Sequence, residues 1–194
     1  MAFVVSQMDL EDDWYVTQIW RWDGAAQPFT AGRADKSPRW SPDGSLLAFL
    51  RADEPGSPAQ VAVMPTRGGE PRVISDFALG VTEIEWSPDG SSLAVVAKTW
   101  SDEYAALDEE ERERRPRRVD KLPFRWDNLG WTHDRNSHVW LVDPHGLEPA
   151  QCLTPGDFNE AGIVWNPNGE EIAFLSARHP EYGLEPGLQA FTVG

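Results

Sequence analysis

"SPRWSPDGSLLAFLRA" runs from Ser37 to Ala52. Its centre, W-S-P-D-G, returns at Trp86–Gly90, and a related W-N-P-N-G stands at Trp165–Gly169. Each copy leads into an apolar run: LLAFL, SLAVVA or EIAFLS. In S-P-D-G, Pro42 presets φ at the second position of a type I turn and Asp43 tolerates the third. Gly44 takes the left-handed conformation that returns the chain to a strand. The unbroken apolar run predicts a strand covered on both faces. A second, alternating strand follows at Gln60–Thr66, then an R-G-G-E turn at 67–70 and a short strand within Pro71–Phe77. Four antiparallel strands in about 45 residues is the length of a propeller blade. So small a sheet cannot bury both faces alone, and blades packed around an axis solve that problem. On this reading Trp40, Trp86 and Trp165 pack against neighbouring blades. Pro42, Asp43 and Gly44, Pro88, Asp89 and Gly90, and Pro167 and Gly169 are structural turn residues.

The same pattern divides the whole chain. It predicts an all-β fold: a partial β-propeller of about four blades, over 1–33, 34–80, 81–157 and 158–194. The third blade is interrupted by a helical insertion within 101–130. The first blade enters at its second strand and the last stops at its third. The expectation is a piece of a larger propeller, whose open blade edges favour self-association.

Composition excludes several function classes. The 194 residues carry 32 acids against 17 Lys and Arg, a net charge of −15. A phosphate-binding or anionic-membrane surface needs the opposite balance, so neither nucleic acid nor a membrane is an expected partner. The one cysteine, Cys152, forbids an internal disulfide and a multi-cysteine zinc site. No run approaches the roughly 20 apolar residues of a membrane span, and the start lacks the basic leader of a signal peptide. A cytoplasmic location is the expectation.

The insertion is the part not explained by blade grammar. Ser101–Arg115 reads as one helix, with Ser101 as its cap, acids in its first turn and arginines in its last. Asp108–Arg112, Glu110–Arg114 and Glu111–Arg115 stand at i,i+4 spacing, and Pro116 stops the helix. Arg117, Arg118, Lys121 and Arg125 continue as a locally basic strip in an acidic chain, a place to attract a peptide carboxylate. Trp126 and Trp131 flank a turn at 127–128 and can wall a pocket. These six are the candidate substrate-gating residues.

Catalytic residues are not expected. A nucleophile elbow requires G-x-S-x-G, and the sequence contains none; Gly90-Ser91-Ser92-Leu93-Ala94 is a blade turn. His133, His138 and His145, with Asp134 and Asp143, match no known metal-ligand spacing. No metal and no cofactor is expected, and Cys152 reads as a small buried residue.

The repeats "PRWSPDGSLLAFLRA" and "IEWSPDGSSLAVVA" resemble those of TolB-like proteins and of the prolyl oligopeptidase family of serine peptidases. The stretch Arg114–Asp143, followed by Gln151–Ser176, is similar to the acylaminoacyl-peptidase branch of that family. Asn166 and Asn168 replace the usual Ser and Asp in the last repeat turn, and Asp127-Asn128 replaces Asp-Gly; all four keep turn-forming side chains. The resemblance implies a propeller lying over an α/β-hydrolase domain and admitting short peptides to a Ser-Asp-His triad. It gives this chain a non-catalytic gating role, with the hydrolase domain and short peptides as partners. A free-standing TolB-like binding module is the alternative.

Overall fold

The computed structural model describes residues 1–119, 122, 124–126, 130–184 and 187–194. Lys121, the 127–128 turn and the Trp126 side chain lie outside that description. The chain forms β1 (Ala2–Asp9), β2 (Trp14–Trp22) and β3 (Ala26–Pro28), then β4 (Asp35–Trp40), β5 (Leu46–Arg51), β6 (Gln60–Pro65) and β7 (Arg72–Val73). Next come β8 (Val81–Trp86), β9 (Leu93–Trp100), α1 (Asp102–Ala105), α2 (Glu109–Arg114), β10 (Arg125–Trp126) and β11 (Gly130–Trp131). It closes with β12 (Arg135–Val142), β13 (Gln151–Cys152), β14 (Glu160–Trp165), β15 (Ile172–Ser176) and β16 (Gln189–Val193).

Among the described residues, two antiparallel sheets have four strands, β4-β5-β6-β7 and β8-β9-β12-β13. Two have three, β1-β2-β3 and β14-β15-β16. The arrangement is a partially closed, propeller-like array with a small helical insertion, as the repeats predict. Blades pack face to face. Leu50, Val61, Val63, Val81, Ile84, Trp86, Val95 and Val142 share one core between the second and third blades. Val139, Ala94, Ile172 and Phe174 form another between the third and fourth. Full burial of side chains of this size contributes roughly 1.5–3 kcal/mol each, so the seams between blades hold the array together.

Each repeat turn is closed by a backbone hydrogen bond from its glycine. Gly44, Gly90 and Gly169 have φ of 70°, 75° and 76°. Their N–H groups donate to the carbonyls of Ser41, Ser87 and Asn166 at 2.8–2.9 Å. The Asp43 carboxylate accepts from the Ser41 hydroxyl and from the Ser45 hydroxyl and amide, and is held down at about 2. Asp89 repeats this with Ser87 and Ser91, also at about 2. In the third turn Asn168 accepts from the Glu170 amide, so the turn keeps its hydrogen bond and loses its charge. Trp86 bonds the preceding blade, its indole Nε1 donating to the Arg39 carbonyl at 3.0 Å.

The insertion corrects one expectation. Ser101–Arg115 is not one helix but two short ones, α1 and α2. Asp108 caps the second: it accepts from the Glu111 amide while Glu111 reaches back to the Asp108 amide. Ser101 stands at the N-cap of α1 without a side-chain cap bond. Of the three i,i+4 pairs, Glu110–Arg114 forms. Arg115 turns instead to Glu103, and Arg112 donates to the Tyr104 carbonyl. A chain that starts a new helix at Asp108 folds back, which lets Tyr104 be buried at 4% exposure. The helix does end before Pro116, with Arg115 extended.

Candidate functional site

The insertion leaves the third blade where β9 and β12 run on past their neighbours. Their ladder extends to Trp100 opposite Arg135 and Lys98 opposite Ser137. Cross-strand partners share a face, as do residues two apart on one strand. Lys98, Trp100 and Arg135 therefore stand together at the root of the insertion.

From there aromatic rings and guanidiniums alternate. Arg135 and Arg112 lie over the Trp100 ring at 4.3 and 4.7 Å from its centroid. Arg117 and Arg125 lie over Trp131 at 4.6 and 5.4 Å. Trp131 stacks on Phe124 and meets His133 edge-on, and His133 meets Tyr104 the same way. Asp134 is the hub. It is 1% exposed, and its carboxylate accepts from Arg117 at 2.7 Å and from Arg135 at 2.7 and 3.1 Å. Burial pushes its pKa up, but the bonds from Arg135 and Arg117 outweigh that and hold it below the usual carboxylate range. Lys98 is shifted down, first by burial and then by the like charge of Arg135.

Three of the six gating candidates, Arg117, Arg125 and Trp131, meet in this lattice. Arg118 is exposed and joins none of these contacts among the described residues. Lys121 and the Trp126 side chain are not described. Sequence reasoning missed Lys98, Trp100, Tyr104, Arg112 and Arg135 as members. Spacing along the chain does not reveal them, because Trp100 meets Arg135 only through the β9–β12 ladder.

A second feature lies along the inner strands β4, β8 and β14. Arg39 pairs with Glu85 at 3.0 Å across one seam. The Glu83 carboxylate accepts from the Gly162 and Ile163 amides at 2.9–3.2 Å across the next. Between them is a groove of about 280 Å³ bordered by Ser37, Thr82 and Ile163. These bonds staple neighbouring blades.

The remaining titratable groups act locally. Among the described residues, no group of three His, Cys, Asp or Glu is placed to hold a metal ion. His138 Nδ1 lies 3.4 Å from Glu160, whose other oxygen takes Arg178 at 2.6 Å. Asp143 closes its own turn through the amides of His145 and Leu147. Burial raises the Cys152 thiol, which opposes reactivity. Among the described residues, no helix is long and apolar enough to cross a membrane.

No protein-family model matches the chain. It is 33% identical over 181 residues to an uncharacterized peptidase, YuxL, of Bacillus subtilis strain 168; the match covers 89% of this chain and 27% of that protein. The chain thus spans about a quarter of the length of the curated relative it matches. Among solved structures it is similar to an acylaminoacyl peptidase of Pyrococcus horikoshii. There the TM-score is 0.70 and the identity 22%, over 98% of this chain and 29% of that one. TolB from Acinetobacter baumannii gives a TM-score of 0.55 at 18% identity, over 92% of this chain and 34% of that one. The fold is a β-propeller related to those of acylaminoacyl peptidases and TolB-like proteins. It resembles part of a larger protein, and no catalytic residue is evident in the chain itself.

Proposed function

We propose that this chain is the propeller portion of a serine peptidase of the acylaminoacyl-peptidase type, and that it gates the passage of short peptides to a separate α/β-hydrolase domain. The observation that carries the reading is the 33% identity over 181 residues to a peptidase of which the chain spans only 27%. The absence of G-x-S-x-G from the sequence fits a portion that controls access and does no bond breaking. Its blades are taken as 1–33, 34–80, 81–157 and 158–194. The gating strip is Arg117, Arg118, Lys121, Arg125, Trp126 and Trp131, and the working location is the cytoplasm. In this role the blades supply a rigid frame, and the insertion supplies cations and ring faces to meet a peptide.

The reading is tested by sequencing the reading frame beyond the codons for Met1 and Gly194. A frame continuing through further blades to G-x-S-x-G, Asp and His supports it. A frame with no hydrolase sequence on either side overturns it, and the likeness to TolB then makes a free-standing module that binds proteins or peptides the better account.

A further inference from the structure

Among the described residues, the lattice at the base of the insertion holds more cations than carboxylates. Arg135 and Arg117 share one carboxylate, Asp134. Arg112 spends its Nε on the Tyr104 carbonyl and its plane on Trp100, and meets no carboxylate among the described residues. Lys98 likewise makes no ion pair among them, although it sits beside Arg135. Its cross-strand neighbour is the short side chain of Ser137. Arg112 and Arg135 thus lie over the Trp100 ring, and Lys98 stands on the same face of the ladder. Among the described residues the one carboxylate paired with any of the three is Asp134, already shared by Arg117 and Arg135. This happens in a chain of net charge −15, where a random surface patch is acidic. A stacked guanidinium keeps its edge free while its rotamers are restricted, so it meets an anion without much further ordering.

We propose that Lys98 and Arg112, with Arg135 behind them, form a carboxylate-binding site that takes short peptides by their free carboxylate. Trp100 supplies the apolar wall. Lys98 and an Arg112 edge take the two carboxylate oxygens, and Arg135, fixed by Asp134, adds positive potential. The anion site rests on the geometry of these residues. The choice of short peptides as its occupant rests on the function proposed above, and it extends that reading by naming the feature of the peptide that is read.

Equilibrium binding to the 194-residue chain tests this without turnover, so its outcome is separate from whether a hydrolase domain exists. The probes are N-acetyl-trialanine with a free carboxylate, the same peptide amidated, and acetate ion. The readout is intrinsic tryptophan fluorescence, checked by calorimetric titration. The acid is expected to bind at least about tenfold tighter than the amide. That gap should shrink as NaCl is raised, and acetate should compete with the acid. Arg112→Gln and, separately, Lys98→Gln should each weaken the acid about tenfold and leave the amide unchanged. Circular dichroism confirms that each variant is folded, and either variant suffices for the test. Equal binding of acid and amide, no binding of the acid at millimolar concentration, or folded variants that bind the acid as the parent does would each overturn the proposal.

Discussion

Replacing Asp35 by Asn removes one charge from the most enclosed ion pair of the second blade. Asp35 opens β4 with a side chain at 0% exposure, and its register partner on β5 is Arg51, at 21%. Two bonds of 2.7 Å join the carboxylate to Arg51 Nε and Nη2. The loop before β4 closes over them: a Cβ at Gly32 would lie 2.5 Å from the Asp35 oxygens. Each charge-assisted bond contributes roughly 1.5–3 kcal/mol net, and breaking one side of a buried pair costs roughly 3–5 kcal/mol. Arg51 retains some contact with water, which lowers the penalty on the stranded guanidinium. About 3 kcal/mol is therefore expected for Asp35→Asn. At about 2–4 °C per kcal/mol for a chain of this size, the melting temperature should fall by about 6–12 °C. Differential scanning calorimetry reads that shift, and urea titration with an unchanged m-value confirms that stability alone has moved. Asp35→Leu combined with Arg51→Met removes both charges and should recover most of the loss, because no charge is left stranded. A loss below about 0.5 kcal/mol for Asp35→Asn, or a double variant no more stable than the single one, would refute this reasoning.

Two further outcomes follow from the turns. Asp43 and Asp89 are depressed to about 2 in the folded chain, against an ordinary value of about 3.9. Their contribution is thus fully present above about pH 4 and is lost as pH falls toward 2. Replacing both by Asn should flatten the loss of stability across that window in acid titrations followed by circular dichroism; an unchanged slope would contradict it. Gly44 and Gly80 share a positive φ, of 70° and 78°, but nothing lies within 4 Å of a Cβ at Gly44, whereas one at Gly80 meets the Ala59 nitrogen at 2.8 Å. Gly44→Ala should therefore cost about 1–2 kcal/mol from backbone conformation alone, and Gly80→Ala clearly more, as urea midpoints will report.

What the sequence made legible was local. W-S-P-D-G names its own turn, since Pro42, Asp43 and Gly44 each have one conformational reason to be there. The apolar runs after it fix β5, β9 and β15 within a residue or two. The second short helix was also written locally, in the Asp108-x-x-Glu111 capping box. Charges at i,i+4 spacing pointed to one longer helix, and the burial of Tyr104 and the turn of Arg115 toward Glu103 prevailed over them. The lattice on Trp100 and Trp131 was not legible, because it depends on how far the β9–β12 ladder runs. Arg112 and Arg135, far apart in sequence, meet only once that ladder reaches Trp100. The basic strip after Pro116 drew the eye to Arg117 and Arg125, while the cations near Trp100 without a carboxylate among the described residues are Lys98 and Arg112.

The central claim is that the chain gates and does not cut. A fluorophosphonate probe, which forms a covalent bond to an activated serine, tests this most directly. It is applied in parallel to the whole product of the gene that contains this chain and to residues 1–194 alone, with the labelled peptide identified by mass spectrometry. The account predicts a labelled serine outside residues 1–194 in the whole product and no label on the 194-residue chain. A labelled serine within 1–194, or a whole product that takes no label, would contradict it.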